Sequence, residues 1–208
     1  VIYLEAVKFY EQSLEIYREI GDKSRIATSL QQLGNVRYQQ GNYPEAVKLY
    51  EQSLEIAKDL GHKWIMAISL HQLGMAHYQE SNYPVAIKFH KQSLDIKKDL
   101  GDKSGISNSL YQLGKVLYQQ GNNLEAVKFY EQSLELDREI GDKSGVASSM
   151  CKVGRIKEEN KDFEGALGDY QSALSIFEEI ADPSIEIAEK DIARLRELMG
   201  EEAFQCAF

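Results

Sequence analysis

The side chains best suited to chemistry in this sequence are four histidines and two cysteines. The histidines lack the i, i+4 spacing that would place two imidazoles on one metal ion. They are His62, His71, His77 and His90. Cys151 and Cys206 are far apart in the chain, with no histidine or acid at a recognisable catalytic spacing. We therefore predict no catalytic residues, no metal site, no cofactor and no enzymatic activity.

A glycine-rich segment at residues 101–105, Gly-Asp-Lys-Ser-Gly, superficially resembles a phosphate-binding loop. It lacks the GxxxxGK[ST] spacing, and it follows a predicted helix, whereas a phosphate-binding loop follows a strand. We interpret this segment as a turn between helices.

Composition narrows the possible partners. The chain has 33 acidic and 24 basic side chains, a net charge of -9, which disfavours nucleic acid because phosphate binding needs a basic surface. No run of 18 apolar residues is present, so no membrane span is predicted. The first residues lack the basic and apolar regions of a signal peptide. These features predict a soluble, cytoplasmic protein.

An internal repeat of 40 residues organises the sequence. Residues 22–61 and 102–141 share 26 of 40 positions without a gap, and residues 62–101 and 142–181 follow the same frame. Each period contains two helical patterns of apolar residues, the first ending near Gly41 and the second near Gly61. Asn42 and Glu45 form a capping-box-like pair at the start of the second helix. Such two-helix units bury their apolar faces only by stacking on neighbours.

Residues at fixed places in this period resemble the tetratricopeptide repeat. In the first full period they are Leu33-Gly34-Asn35-Val36-Arg37-Tyr38, Gly41-Asn42-Tyr43, Glu45-Ala46, Tyr50 and Ser53-Leu54. The period is longer than the usual 34 residues. It resembles the longer-helix class of Pins-type polarity adaptors, kinesin light chains and bacterial, notably cyanobacterial, signalling proteins. The resemblance covers residues 1–181 and implies an all-α, right-handed α-solenoid of stacked antiparallel helix pairs.

The frame predicts a single array of about ten helices over residues 1–208. Residues 1–20 form a lone second helix, followed by full pairs at 22–60, 62–100, 102–140 and 142–180. A capping helix follows at 182–199, with Asp182 as its cap and Pro183 in its first turn, and residues 200–208 form a tail. The tail carries Phe204 and Phe208, which either fold back on the cap or remain disordered. The lone first helix predicts a bare apolar face, as in a fragment or a self-associating chain.

The small and large residues of the frame are interpreted as packing positions. Glycines at 34, 74, 114 and 154 allow two helices to approach closely, so Leu at Gly114 should cost roughly 1–3 kcal/mol. His90 stands where the other periods have Tyr50, Tyr130 and Tyr170, and is interpreted as a core residue.

The resemblance implies that the first helices line a concave groove that binds a protein or an extended peptide. In the first full period the groove-facing positions include Thr28, Gln31 and Tyr38. The candidate binding residues across the four periods are Gln32, Asn35, Ile68, His71, Gln72, Met75, Tyr78, Tyr111, Gln112, Lys115, Lys152 and Arg155. The glutamines offer amides to an extended backbone. Ile68, Met75 and the tyrosines predict an apolar anchor pocket.

The three basic candidates predict a site for a ligand carboxylate, with Arg155 as a bidentate donor. The alternative is that Glu158 and Glu159 neutralise Lys152 and Arg155 within their own helix. Trp64 is either an edge contact for a partner or packs on the preceding turn.

Three functions remain open at this level. The first is a non-enzymatic scaffold that recognises a partner segment in the groove. The second is a sensor or spacer segment of a larger signalling protein. The third is end-to-end self-association through residues 1–20.

Overall fold

The computed structural model describes residues 2–200 and residue 204, with side chains from residue 5 onward. The described residues form ten α-helices and no β-strand. In chain order the helices are α1 (Ile2–Ile20), α2 (Lys23–Gln39), α3 (Tyr43–Asp59), α4 (Lys63–Gln79), α5 (Tyr83–Leu100), α6 (Lys103–Gln119), α7 (Asn123–Ile140), α8 (Lys143–Glu159), α9 (Phe163–Glu179) and α10 (Ile185–Met199). The all-α class and the predicted order of first and second helices are confirmed. Among the described residues, no helix combines the length and apolar character that crossing a membrane requires.

Short turns join these helices and depend on their sequence. Gly61, Gly101 and Gly141 have φ values of 64°, 67° and 76°, which a glycine adopts without steric cost. Asn42 Oδ1 accepts a hydrogen bond from the Glu45 backbone at 3.3 Å, and its side-chain amide donates to the Glu45 carboxylate at 2.6 Å. The predicted capping pair is therefore present at α3. Within residues 1–120 and within residues 121–208, most connections have two or three residues, so consecutive helices of each part run antiparallel.

Small residues meet large ones where two helices of a pair cross. Tyr50 is almost completely buried, and a Cβ atom added to Gly34 would lie 2.7 Å from its Cδ1 atom. His90 is fully buried at the equivalent position and faces Gly74 in the same way. The interpretation of His90 as a core residue is confirmed, and Gly34 and Gly74 are the close-approach positions that the frame predicted.

The chain divides into two compact units, Val1–Gln120 and Gly121–Phe208. In the first unit consecutive helices pack on one another, and the first helices α2, α4 and α6 also lie beside each other. Its core clusters are built around Leu30, Leu33, Tyr50 and Leu73. In the second unit α7 to α10 pack in sequence, with a core around Leu167, Tyr170 and Leu195.

The last helix packs as predicted but begins later. Ala188 and Leu195 are buried, and Ile192 and Met199 pack beside them. Helix α10 begins at Ile185, because the Asp182 carboxylate accepts from the Ser184 backbone and Pro183 lies in a turn. The expectation that Pro183 lies in the first helical turn was wrong.

Phe204 is buried against the cluster that contains Leu195, so this residue of the tail folds back on the cap. The expectations for Val1, Cys206 and Phe208 concern positions outside the described residues.

Candidate functional site

The candidate residues of the first unit lie on α2, α4 and α6, and all of them are half-buried. They are Gln32, Asn35, Ile68, His71, Gln72, Met75, Tyr78, Tyr111, Gln112 and Lys115. We call this set the first-helix surface. Half-burial fits side chains that line a surface while being held by their neighbours.

A polar network joins α2 and α4 at the centre of this surface. Asn35 Oδ1 accepts a hydrogen bond from the Gln72 side-chain amide at 2.6 Å and another from the Tyr50 hydroxyl at 2.9 Å. Burial raises the pKa of Tyr50, so its phenol stays protonated and remains a donor. Within the described residues the Asn35 side-chain nitrogen has no protein partner, which leaves its N–H groups for a ligand.

Aromatic contacts continue the first-helix surface towards α6. The Gln79 side-chain amide donates to the Tyr38 hydroxyl at 2.9 Å. The Lys115 ammonium lies 4.4 Å from the centre of the Tyr78 ring, a cation–π distance. Burial, followed by the neighbouring Tyr83 and Tyr38, raises the pKa of Tyr78. These contacts link α2 to α4 and α4 to α6, so the surface is preformed.

Gln31, one of the predicted groove-facing positions, points into the core, and the half-buried His71 contacts a core side chain. Gln31 is buried, and its amide donates to the Ile65 carbonyl at 3.1 Å and to Ser69 Oγ at 2.8 Å. The expectation that Gln31 faces the groove was wrong, because its donors are used between α2 and α4. His71, one period later, contacts the ring of buried His90 with a centroid distance of 5.3 Å.

The basic candidates of the second unit lie on α8 and face α10. The Arg155 guanidinium donates to Asp191 Oδ1 at 2.9 Å. Arg194 also pairs with Asp191 at 2.7 Å and binds Glu158 through two hydrogen bonds of 2.8 Å. The Tyr170 hydroxyl donates to Glu158 at 2.8 Å. We call Arg155, Glu158, Asp191 and Arg194 the cap network.

The cap network changes the expected roles of α8 residues. Asp191 neutralises Arg155, and Arg194 neutralises Glu158, so the two α8 residues pair with α10 rather than with one another. The Arg194 hydrogen bond is the main reason why the pKa of Glu158 is lowered. Arg194 of α10 is half-buried, and the carboxylates of Glu158 and Asp191 hold it in place.

Lys152 lies beside this network on α8. Within the described residues it makes no hydrogen bond or ion pair, and its side chain is half-buried. Burial, and then the neighbouring Arg155, lower its pKa. Since the cap network sums to zero charge, Lys152 leaves this part of α8 with a net positive charge. Burial also raises the pKa of the adjacent Cys151 thiol to about 11, so this thiol is protonated and unreactive at neutral pH.

Trp64 lies at the start of α4, with 51% of its surface exposed. The adjacent Lys63 pairs with Asp99 of α5 at 3.0 Å, and both side chains are exposed. The edge contact of Trp64 with a partner stays a prediction.

Sequence reasoning missed Tyr50, Asp191 and Arg194 as parts of these surfaces. Tyr50 had a usable signal, because a large residue recurs there opposite a glycine. The pairs Arg155–Asp191 and Glu158–Arg194 are both separated by 36 residues. A separation of 36 residues equals one repeat of 40 residues less about one helical turn. Oppositely charged residues at this separation could have been searched for in the sequence.

Comparison with solved structures shows the same fold. BtubC from P. vanneervenii superposes with a TM-score of 0.84 at 15% identity, over 100% of this chain and 88% of that one. The apo form of RapI gives 0.79 at 13% identity, over 99% and 60%. A P. anserina kinesin light chain protein with nearly identical tetratricopeptide-like repeats gives 0.70 at 20% identity, over 89% and 95%.

The comparison with curated proteins finds no match. The family model described as the tetratricopeptide repeat matches residues 3–59, 25–99 and 105–179. These ranges cover most of the chain and follow the helix pairs. The chain therefore belongs to the tetratricopeptide repeat family.

Proposed function

We propose that the chain is a non-enzymatic scaffold that binds a protein or an extended peptide on the first-helix surface. The observation that carries this proposal is the set of contacts Asn35–Gln72, Tyr38–Gln79 and Tyr78–Lys115 across three first helices. A surface already held by such contacts orders little on binding, which reduces the entropic cost of association. The family, whose members serve as protein-interaction scaffolds, agrees with this function.

The chemistry of the first-helix surface favours an extended segment with an apolar residue. Ile68 and Met75 provide adaptable apolar contacts on α4. The free N–H groups of Asn35 would bond a peptide carbonyl, and Gln32 and Gln112 offer further amides.

An acidic group of a partner would bind at Lys152. Arg155 was the expected carboxylate donor, but its guanidinium is engaged by Asp191. Lys152 is the neighbouring cation, and among the described residues it forms no ion pair. We therefore assign the carboxylate to Lys152 and give Arg155 the role of holding the cap helix.

Selection from a peptide-display library tests the function. The unmodified chain should enrich peptides with an apolar residue, and part of them should carry an acidic residue. Lys152→Glu should lose the acidic peptides. The matched control is Lys128→Glu, which makes the same charge change at an exposed position of α7 and should leave the selection unaltered. A selection that enriches no peptide would contradict recognition of an extended segment.

Self-association is a second candidate, and the surface of α1 favours it. Phe9 and Ile16 are 67% and 53% exposed. Their equivalents one period later, Leu49 and Ile56, pack against the preceding helices. A mass measurement over a concentration series checks this candidate. Association should grow with concentration and be lost in Phe9→Glu, and a constant monomer mass would exclude it.

A further inference from the structure

Repeat 62–101 differs from repeat 22–61 in the chemistry of its core. Three positions that hold neutral side chains in repeat 22–61 hold basic ones in repeat 62–101. They are His71 in place of Gln31, His90 in place of Tyr50, and Lys97 in place of Ala57. In repeat 22–61 the polar groups are satisfied, since Gln31 donates to α4 and Tyr50 donates to Asn35.

The two histidines form a buried pair with unsatisfied nitrogens. His90 is 0% exposed, and the His71 ring meets it edge to face, at 5.3 Å and 61°. Both ring nitrogens of His90 and the Nδ1 atom of His71 are buried without a hydrogen-bond partner in the described residues. The backbone of Gly74 closes off one side of the His90 ring. A protonated imidazole has two N–H donors, and this site offers it no acceptor.

The charged groups around the pair are mostly positive. Lys97, on α5 itself, has a buried ammonium that donates to Ser109 Oγ of α6 at 3.0 Å. Lys115 of α6 also lowers the pKa of His90. Asp102, which caps α6, raises the pKa of Lys97 and so partly offsets the effect of burial on that group. From α3, Tyr50 contributes a neutral phenol to the adjoining core. The Nδ1 atom of His77 on α4 lies 3.1 Å from the Glu80 carboxylate, and the His77 ring stacks on Phe89.

These surroundings oppose protonation of both rings. Burial, followed by Lys97, lowers the pKa of His71 to about 4. Burial, followed by His71, Lys97 and Lys115, lowers the pKa of His90 to about 3. The ordinary value is 6.5, so an opened repeat takes up protons at a pH where the closed repeat does not. The closed form is fully favoured above pH 6.5 and loses stability as the pH falls from there towards 3.

We propose that repeat 62–101 is an acid-sensitive element of the array, in which protonation of His71 and His90 opens the α4–α5 pair. Helix α4 carries Ile68, Met75 and Tyr78, so this opening dismantles the apolar part of the first-helix surface. The opening follows from the buried histidines alone and does not depend on whether that surface binds a peptide.

Hydrogen exchange followed by mass spectrometry at pH 7.0 and 5.0 tests the proposal, with each rate divided by its intrinsic rate. A pH of 5.0 is about 1.5 units below the pKa of a histidine in the open state. Protonation of each histidine therefore raises the equilibrium constant for opening by about thirtyfold. With two such histidines, protection of α4 and α5 should therefore fall several hundredfold more than protection of α8 and α9.

The matched variant is His71→Gln with His90→Tyr, which installs the neutral side chains of repeat 22–61. In this double variant, the protection of α4 and α5 at pH 5.0 should fall no more than the protection of α8 and α9. If the double variant does not fold at pH 7.0, His71→Gln alone should reduce the extra loss by about thirtyfold. His62→Gln removes an exposed histidine of the same repeat and should behave like the parent. Equal loss of protection in all helix pairs, or a parent-like response of the neutral variants, would overturn the proposal.

Discussion

The close approach of paired helices makes a sharp prediction about glycine substitutions. Alanine is a better helix former than glycine by about 0.5–1 kcal/mol, so an unconstrained Gly→Ala change in a helix is stabilising. At Gly34 the added Cβ atom would overlap with the Tyr50 ring, with Cδ1 at 2.7 Å and Cζ at 3.1 Å. The ring is held in place because it is buried and its hydroxyl donates to Asn35.

The magnitude follows from these opposing effects. Overpacking a fixed core costs about 1–3 kcal/mol, which exceeds the gain in helix propensity. Gly34→Ala should therefore lower the free energy of unfolding by about 1–2 kcal/mol. At Gly154 the nearest atoms of Tyr170 lie at 3.0 and 3.1 Å, so the loss should be smaller. At exposed Gly168 of α9 no atom lies within 4 Å of the added Cβ, and Gly168→Ala should stabilise by about 0.5–1 kcal/mol.

Urea unfolding followed by circular dichroism measures all three variants. The expected order of midpoints is Gly168→Ala above the parent, Gly154→Ala close to or below it, and Gly34→Ala lowest. If Gly34→Ala were as stable as Gly168→Ala, the glycines would not be close-approach positions and the packing argument would fail.

Three further predictions concern caps and charges. His62 makes no side-chain cap to α4, so His62→Asp should raise the thermal midpoint and add about 1 kcal/mol; an unchanged midpoint would refute the capping argument. Asp191→Asn leaves two partly exposed arginines without their shared carboxylate and should cost about 2–3 kcal/mol in urea unfolding. Glu186→Gln, in an exposed pair, is its control and should cost below about 0.5 kcal/mol; equal losses would show that the cap network is unimportant. Because burial lowers the pKa of Lys152, calorimetric affinity for an acidic peptide should fall as the pH rises through that lowered value, whereas Lys152→Arg should keep its affinity. A flat profile in the parent would place the carboxylate elsewhere.

Much of the fold could be predicted because the same pattern of residues recurs in several periods of the repeat. Asn42, Gly61 and the Gly34–Tyr50 pair recur at fixed places, so each boundary and each small-to-large contact is supported by several periods. The second helix of the pair predicted at 62–100 ends at Leu100, as observed. Local signals of this kind depend on residues a few positions apart.

The candidate surface was harder to predict because its geometry depends on residues about 36 positions apart. Helical periodicity assigned Gln31 to the groove, but the neighbouring helix supplies acceptors that draw its amide into the core. Arg155 was expected to be free for a ligand, but a carboxylate on α10 reaches it. The repeat frame did not predict the role of Asp191. Helix α10 has the apolar stripe of a first helix but lacks the repeat motif that would align it with the earlier periods.

The most direct test of the central claim is a hydrogen-exchange footprint at pH 7.0 with the peptide most enriched by display selection. We predict that the peptide increases protection in α2, α4 and α6, around Asn35, Gln72 and Met75, and that Met75→Glu abolishes this protection. Unchanged protection of these helices, or protection confined to the second helices α3 and α5, would contradict recognition on the first-helix surface.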